Sequence, residues 1–321
     1  MSCRYDVSLS AMAATSFWNS TRRAWLLTLT FARRPTAVHG GLLQSPTYGR
    51  MVAQGALGLV VRRVRGRSGF GGDAMRITVL GGCGAWPAAG QACSGYLVEH
   101  DGFRLVVDPG YATLPRLLEL MAAADLDAVL ISHGHPDHCA DLHPLLRARA
   151  LGDDPAAALP VHALPGAVDR VLALDGPGTL QGASAVHEFM AGDRFEVGPF
   201  RVDTWLLPHF VPNAGLRLTA GRRVLAYTGD TGPSPDVVAL AHQADVFAAE
   251  ASFPERTPAH AAQYLSSALQ AGENAVKAGV GHLLLTHLWP GTVAEVVEDA
   301  ARRAYSGEIT VARGGVVVDL S

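Results

Sequence analysis

From residue 75 onward, short apolar runs alternate with windows in which apolar residues recur at helical spacing. Such runs, bounded by Gly, Pro, Asp or Asn, are typical of buried strands. Strands are predicted at 77–80, 96–98, 104–107, 128–132, 161–163, 200–207, 216–218, 224–228, 246–248, 283–286 and 309–312. Helices are predicted at 113–123, 141–150, 166–174, 234–241, 261–278 and 293–304. Many strands with helices between them favour a layered α/β domain.

Residues 1–74 show neither the alternation typical of strands nor the helical spacing of apolar residues, and they differ in charge from the rest of the chain. They carry ten arginines and two acidic residues, a net charge of +8, whereas residues 75–321 carry −11. The alternatives for this segment are a transit peptide, a twin-arginine export signal at Thr21–Arg23 and a basic arm for nucleic acid. We favour Met75 as the natural start, so residues 1–74 are expected to be a basic, Arg-rich extension, disordered or not part of the native protein. Residues 75–321 are expected to form the folded domain.

Composition narrows the class of protein. The chain has 321 residues, of which 49% are hydrophobic and 17% are charged, which is too apolar for a disordered protein. Its longest apolar runs reach about ten residues, and a membrane helix needs about 20. Four cysteines without a CxxC pair do not form a disulfide scaffold or a zinc knuckle. We therefore expect a cytoplasmic protein without a membrane partner.

Potential metal ligands are concentrated in one short segment. His133, His135, Asp137 and His138 fall within six residues, directly after a predicted buried strand. The glycine and proline between them argue against a helix and predict a loop at the carboxyl end of that strand, where α/β sheets bind ligands. Imidazole nitrogens and carboxylate oxygens together suit zinc, manganese or iron(II). The segment therefore predicts a metal site rather than a solvated polar loop.

Three further candidates also follow predicted strands. His209 comes after strand 200–207, Asp230 after strand 224–228 and His287 after strand 283–286. Alone, each has an ordinary alternative as a turn residue, a helix cap or the end of a strand. Because a six-residue loop is too short to surround an ion with all its ligands, we expect these three to complete the site.

These seven residues, in this order and spacing, resemble the motifs of the metallo-β-lactamase-fold hydrolases. The branch that they resemble most contains ribonuclease Z-like and cyclic-nucleotide phosphodiesterase-like enzymes. The resemblance extends over about residues 75 to 318, and segments 94–98, 107–110, 227–232, 250–253 and 285–287 also carry it. It implies a four-layer αββα sandwich with two divalent metal ions, zinc in the first place and manganese as the alternative.

The resemblance also implies a role for each residue. His133, His135 and His209 would hold one ion, Asp137, His138 and His287 would hold the second, and Asp230 would bridge them. A water between two such ions becomes hydroxide near neutral pH, and Asp137 would orient it. Asp108 and Glu250 resemble acids that orient ligand histidines, with a turn residue and a cap or loop carboxylate as their respective alternatives.

One motif departs from the family pattern. Relatives that cut phosphodiesters often carry a histidine that opens the helix before the last ligand strand, where it serves the leaving group. This chain has Tyr264-Leu265-Ser266 there. Tyr264, or His260 one helical turn earlier, is the candidate for that catalytic role.

The resemblance implies a metal-dependent hydrolase, most simply a phosphodiesterase for a small-molecule substrate such as a cyclic nucleotide. Transfer-RNA-processing relatives often insert an RNA-binding arm between the residues equivalent to His209 and Asp230, and 21 residues leave no room for one. The charge of −11 also opposes a nucleic-acid partner. A ribonuclease Z-like endonuclease for tRNA 3′ ends, a hydrolase of small esters, lactones or thioesters, and a metal-binding regulatory protein remain alternatives. Family members are often dimers, so a homodimer is also compatible.

Overall fold

The computed structural model describes residues 74–152 and 154–321. The expectation that residues 1–74 form a basic extension therefore concerns residues outside the described part of the chain, except for Ala74. The described residues form two seven-stranded sheets. The strands are β1 Met75–Gly81, β2 Gly95–His100, β3 Phe103–Val107, β4 Ala128–Leu130, β5 Leu159–Ala163, β6 Ser184–Glu188, β7 Arg194–Val197, β8 Phe200–Leu207, β9 Asn213–Ala220, β10 Arg223–Tyr227, β11 Val246–Glu250, β12 His282–Thr286, β13 Glu308–Val311 and β14 Val317–Leu320. The α-helices are α1 Thr113–Leu120, α2 Pro136–Cys139, α3 Leu142–Ala150, α4 Asp169–Leu172, α5 Pro235–Ala241, α6 Ala268–Ala278 and α7 Ala294–Arg302.

The two sheets have similar layouts. The first has the order β14-β1-β2-β3-β4-β5-β6 and the second β13-β12-β11-β10-β9-β8-β7. Strands β3 to β6 are parallel in the first sheet, and β10 to β13 are parallel in the second. Helical connections between parallel strands place helices on the outer face of each sheet.

Side-chain alternation along the strands divides the core into three layers. In β1, Ile77 and Val79 belong to the buried cluster between the two sheets, whereas Leu80 belongs to the cluster under α1 and α3. In the second sheet, Leu284 faces the first sheet, and Leu285 packs under the helices α5 to α7. This arrangement of helices, sheet, sheet and helices confirms the predicted four-layer αββα sandwich. In the described part of the chain, no helix is both long and apolar enough to cross a membrane.

Three strands were absent from the prediction, namely β6, β7 and β14. All three lie at sheet edges, where one side of the strand has no partner and side chains are more exposed. Strand β6 has the sequence SAVHE, and its last three residues are exposed. A strand of this kind lacks the continuous apolar run by which buried strands are recognised.

Two predictions about helices near the metal-ligand candidates are wrong. The loop predicted after β4 contains the one-turn helix α2, in which Pro136 occupies the first turn, where its missing N–H is not needed. The helix predicted at 261–278 begins at Ala268, because Ser267 and Gln270 form a capping box at its start. Residues 258–265 instead form tight turns.

A buried arginine joins the starts of the two strands that flank the ligand-bearing segment. Arg149 on α3 donates hydrogen bonds to the carbonyl oxygens of Ala123 and Leu126, at 2.7 and 3.0 Å, and to that of Ala157 at 3.0 Å. Leu126 lies two residues before β4, and Ala157 lies two residues before β5. The guanidinium thus supplies donors to the carbonyls of Leu126 and Ala157, and it adds a second hydrogen bond to that of Ala123, which also accepts from the N–H of Leu126.

We expect Arg149→Met to lower the free energy of unfolding by about 2 kcal/mol, because it removes charged donors from buried carbonyls. The corresponding fall in melting temperature is about 4 to 8 °C for a domain of this size. Thermal and urea unfolding measure both quantities. Arg302→Met is the matched control, since Arg302 forms an exposed ion pair with Glu298 and no other among the described residues, and such a pair is worth about 0.5 kcal/mol or less. Equal effects of the two substitutions would contradict the assigned role of Arg149.

Candidate metal centre

The metal-ligand candidates meet where strands of both sheets end. The segment from His133 to His138 follows β4 of the first sheet, and the other three candidates follow β8, β10 and β12 of the second. The structure brings all seven side chains together in two groups of four, with Asp230 in both groups. In each group the potential ligand atoms lie within 4.8 Å of one another. The seven residues are His133, His135, Asp137, His138, His209, Asp230 and His287.

The first group consists of three imidazoles and Asp230. His135 presents Nδ1, which lies 3.2 Å from Nε2 of His133 and 3.0 Å from Nε2 of His209. Oδ2 of Asp230 lies 3.7 Å from Nε2 of His133 and 3.6 Å from Nε2 of His209. Three nitrogens and one carboxylate oxygen that converge in this way are a donor set suited to a tetrahedral ion such as zinc.

The second group consists of two carboxylates and two imidazoles. Asp230 places Oδ1 3.2 Å from Nε2 of His138 and Oδ2 3.0 Å from Nε2 of His287. Oδ2 of Asp137 lies 3.5 Å from Nε2 of His138 and 3.2 Å from Nε2 of His287. The carboxylate of Asp230 therefore faces both groups, as expected for a ligand shared by two cations.

Hydrogen bonds on the outer side of the histidines orient four of the five imidazoles. Nδ1 of His138 lies 2.8 Å from Oδ2 of Asp108, and Nδ1 of His209 lies 3.0 Å from a backbone carbonyl. Because these partners are acceptors, each Nδ1 carries a proton, and Nε2 is the nitrogen that each ring presents to a metal ion. Nδ1 of His133 and of His287 similarly lies 3.0 and 2.9 Å from a serine hydroxyl. All four Nε2 atoms face the other candidate ligands.

Asp108 belongs to neither group of four, although it forms a third, smaller group of potential ligands with His133 and His138, and it contacts residues of both sheets. Its carboxylate accepts hydrogen bonds from the backbone N–H and the hydroxyl of Ser132, at 2.7 and 2.6 Å. It also accepts one from the hydroxyl of Tyr227 at 2.8 Å, in addition to that from His138. Asp108 is fully buried and has a left-handed backbone with φ of 51°. Strain of this kind persists only where surrounding contacts impose it.

Glu250 reaches the second group through a serine. The hydroxyl of Ser252 donates to Oε1 of Glu250 at 2.7 Å and lies 2.9 Å from Nδ1 of His287. Oε2 of Glu250 accepts from the backbone N–H of Thr231, next to Asp230. Burial, reinforced by the charge of Asp230, raises the pKa of Glu250 to about 8. Glu250 thus contacts the neighbours of two candidate ligands without facing the centre itself.

Two glycines allow loops to approach the ligand residues closely. A Cβ atom on Gly110 would lie 1.9 Å from the carbonyl oxygen of Asp137, and one on Gly84 would lie 2.6 Å from the ring of His287. Any side chain at these positions would displace a candidate ligand. The residue after Gly84 then donates its backbone N–H to Oδ2 of Asp137 at 2.7 Å.

The environment of the first group favours the neutral form of its histidines. Burial, as the largest effect, lowers the pKa of His133, His135 and His209 below their ordinary values. A histidine must be deprotonated to bind a metal ion. The burial of these side chains therefore favours metal binding by keeping the imidazoles neutral.

Negative charge dominates the second group. Burial opposes protonation of His138 and His287, but the nearby carboxylates outweigh it, raising the pKa of His138 well above its ordinary value and that of His287 to about 10. Burial also opposes ionisation of Asp137 and Asp230, but these imidazoles hold both carboxyl pKa values below their usual range. The carboxylates thus attract positive charge, which a divalent cation supplies in place of the protons.

Two buried atoms test whether a metal ion fits this centre. Nε2 of His138 and Oδ1 of Asp230 have no hydrogen-bond partner among the described residues, although they lie 3.2 Å apart. Buried polar atoms without partners are costly, and both of these are potential metal ligands. A cation between them satisfies both atoms, so the residues present fit a metal ion.

The two candidates for the leaving-group role lie in different surroundings. The ring of Tyr264 is half-buried and packs against Phe210, with ring centroids 4.6 Å apart, and its carbonyl oxygen accepts the hydrogen bond from Nδ1 of His209. His260 is exposed in a turn and makes no hydrogen bond or ion pair with other described residues. Tyr264 therefore lies beside the centre, and no contact connects His260 to it.

Sequence reasoning missed several residues that position the candidate ligands. Ser132, Tyr227 and Ser252 were given no role, although Ser132 directly precedes His133 and the other two lie within segments that carry the family resemblance. The backbone N–H of Ala85 and the carbonyl of Tyr264 act through groups that every residue carries. Residue type holds no signal for such contacts.

Comparison with known proteins agrees with this geometry. A family model described as "Beta-lactamase superfamily domain" matches residues 103–288. The chain is 31% identical over 246 residues to a Bacillus subtilis protein named "Probable metallo-hydrolase YhfI", a match that covers 76% of this chain and 99% of the relative. The crystal structure of that metallo-beta-lactamase fold protein has a TM-score of 0.70 to this chain and covers 77% of this chain and all of the other.

More distant relatives carry more specific names. A ribonuclease Z of Methanopyrus kandleri is 30% identical over 285 residues, which cover 74% of this chain and 95% of the relative. The crystal structure of unliganded yeast PDE1 has a TM-score of 0.63, with 13% identity over 77% of this chain and all of the other, so it supports the fold alone. The family match and the relatives at 30% identity or more show that this chain belongs to the beta-lactamase superfamily and is a metal-dependent hydrolase with the metallo-β-lactamase fold.

Proposed function

We propose that this hydrolase is a phosphodiesterase that acts on a small substrate such as a cyclic nucleotide. In this proposal, His133, His135 and His209 hold one ion, Asp137, His138 and His287 hold the second, and Asp230 bridges them. The observation that carries it is that Asp230 faces both groups while its Oδ1 lacks a hydrogen-bond partner among the described residues. We propose two zinc ions, with manganese as the alternative, because the donor set mixes imidazole nitrogens with carboxylate oxygens.

Two ions held in this way would supply an activated water and would neutralise negative charge on the attacked phosphate. The chain supplies orientation and proton transfer. Asp137 accepts the N–H of Ala85 through Oδ2, which holds the carboxylate rigidly and lets it accept a hydrogen bond from the attacking water. Asp108 holds His138 directly, and Glu250 holds His287 through the hydroxyl of Ser252, so that both Nε2 atoms face inward. Rigid orientation of this kind lowers the reorganisation cost of the reaction.

Local structure and charge favour a small substrate over a folded RNA. The interval between His209 and Asp230 is filled by β9 and β10, joined by the two-residue turn at 221–222. It contains no additional segment that could serve as an RNA-binding arm. The charge of −11 over residues 75–321 opposes close approach of a polyanion.

Cleavage of tRNA 3′ ends is a second candidate function, favoured by the Methanopyrus kandleri relative named ribonuclease Z. Incubation of the full chain with a precursor tRNA distinguishes the two functions. Cleavage at the 3′ end, with a higher kcat/KM than for cyclic nucleotides, would favour the ribonuclease. We expect the opposite order.

The central experiment measures metal content and substrate turnover on the same protein. We expect the full chain to retain about two zinc or manganese ions after dialysis, measured by mass spectrometry, and to hydrolyse bis-p-nitrophenyl phosphate. Two ions without turnover of this compound would point to esters, lactones or thioesters as substrates. Metal binding without hydrolysis of any of these classes would favour a regulatory protein. A chain that binds no metal would contradict the proposal.

Asp230→Asn tests the bridging ligand. The substitution preserves shape but removes the negative charge that offsets repulsion between two cations, so metal content should fall from about two ions per chain to about one or fewer. Turnover should fall with it. Mass spectrometry of dialysed protein and bis-p-nitrophenyl phosphate hydrolysis provide the measurements.

The matched control for this substitution is Asp175→Asn. Asp175 pairs with His143 and Arg147 and belongs to neither ligand group, so this variant should keep both ions. If Asp230→Asn also retained two ions and full turnover, Asp230 would not be the bridge.

Tyr264→Phe tests the leaving-group role. It removes the hydroxyl but keeps the ring against Phe210 and the carbonyl that holds His209. A general acid contributes about a hundredfold or more when the leaving group is a poor one. We therefore expect kcat to fall about a hundredfold for cyclic AMP, whose leaving group is a ribose hydroxyl, and less than about threefold for a p-nitrophenyl ester, whose leaving group needs no proton.

His260→Gln is the comparison variant and should change neither rate by more than about twofold, because His260 has no contact with the centre. The opposite result, a selective loss on cyclic AMP in His260→Gln alone, would assign the proton to His260. Equal losses on both substrates in Tyr264→Phe would show that the hydroxyl does not serve the leaving group.

A further inference from the structure

Three aromatic rings outside the ligand groups form a continuous surface, here named the aromatic wall. Trp86 contacts Trp289 edge to face, with ring centroids 5.0 Å apart, and Trp289 stacks on Phe253 at 5.8 Å. The backbone of Phe253 is in turn held by a hydrogen bond from the N–H of Ala268 at the start of α6. Phe253, at one end of the wall, is therefore fixed to the start of the helix α6.

The aromatic wall lies beside the second ligand group. Trp86 directly follows Ala85, whose N–H binds Asp137 at 2.7 Å. Trp289 lies two residues after His287, and its neighbour Leu288 accepts a hydrogen bond from the N–H of Gly84 at 2.9 Å. The same short backbone segments that touch two candidate ligands therefore also carry the two indole rings.

The ring of Trp86 is more exposed to solvent than is usual for a side chain of its size. Trp86 has 47% of its surface exposed, although an indole gains substantially from burial. Its contact with Trp289 restrains the ring while leaving much of it accessible. A restrained, exposed indole can accept a flat ring without losing much conformational freedom on binding.

We propose that the aromatic wall stacks the nucleobase of a nucleotide phosphodiester whose phosphate lies at the metal centre. This inference rests on the proposed phosphodiesterase function and adds the surface that would bind the base of its substrate. Bases stack on aromatic side chains with little dependence on sequence, because every base has a π-face. The phosphate and the base of one nucleotide would then occupy the centre and the adjacent wall.

A second aromatic pair, Phe210 and Tyr264, lies on the side of the first ligand group and provides a contrast. The ring of Phe210 packs against His209, at 5.3 Å, and against Tyr264, at 4.6 Å. It therefore already contacts two rings, whereas the only ring contact of Trp86 within the described residues is with Trp289. The open indole, rather than Phe210, is the better stacking surface.

Binding of a product-like ligand tests the wall without requiring turnover. Adenosine 5′-monophosphate and ribose 5-phosphate share a sugar and a phosphate, and only the former has a base. Calorimetric titration of the zinc-loaded full chain gives both dissociation constants. We expect Trp86→Leu to weaken binding of adenosine 5′-monophosphate about tenfold and to change that of ribose 5-phosphate less than twofold. The matched control is the same substitution at another indole, Trp205→Leu, which should change neither by more than twofold because Trp205 packs against the cluster under α5 to α7.

Turnover gives a second readout. Thymidine 5′-(p-nitrophenyl phosphate) and methyl p-nitrophenyl phosphate have the same leaving group, and only the first carries a base. Trp86→Leu should raise KM about tenfold for the thymidine ester, leave kcat within about threefold and leave KM for the methyl ester within about twofold. Zinc content and circular dichroism of each variant establish that the fold and the centre are intact.

The outcomes separate this inference from the proposed function. If the wild-type chain hydrolyses neither ester but binds adenosine 5′-monophosphate through Trp86, phosphodiesterase activity fails and base stacking stands. If Trp86→Leu weakens ribose 5-phosphate or the methyl ester as strongly as the ligand with a base, the indole supports the centre and stacks no base. An equal selective loss in Trp205→Leu, or equal wild-type affinity for the two ligands, would also overturn the inference.

Discussion

The carboxylate of Asp108 is the interaction on which the arrangement of the centre depends. It follows β3 of the first sheet, accepts a hydrogen bond from Tyr227 of β10 in the second sheet, and binds His138 of the segment between them. A buried carboxylate is stable only when its oxygens are well supplied with donors, and Ser132 adds two more. This one buried charge therefore holds both sheets and the ligand-bearing segment in a common frame.

Much of the centre was predictable because its side chains mark abrupt changes in polarity. The apolar runs of β4, β8, β10 and β12 each end shortly before a histidine or an aspartate, and the carboxyl ends of strands are where α/β folds bind ligands. The alternation of strands and helices gave the layered class, and the resemblance carried by the motifs supplied the pairing of the two sheets. Chemistry that depends on residue type at strand ends is therefore visible in a single sequence.

What could not be predicted depends on backbone geometry and on edges. The start of α6 at Ala268 was missed although Ser267 and Gln270 form a capping box there, which is a signal in the sequence. The turns before it bring the carbonyl of Tyr264 to His209 and leave no such signal. The contact of Ala85 with Asp137 likewise uses a backbone N–H. Strand β6 lies at a sheet edge and its last three residues are exposed, so it lacks the apolar run by which buried strands are recognised. Backbone contacts and edge positions of this kind leave no signal in residue type or in the spacing of apolar residues.

The spread of the candidate ligands along the chain has a consequence for how the protein folds. His133 and His287 lie more than 150 residues apart in sequence, and the ligand set is complete only when the ends of β4 and β12, in different sheets, have come together. Contacts of such separation form late, since loop closure must precede them. We therefore expect metal ions to capture a chain that is already folded, stabilising the native state by mass action without directing the search for it.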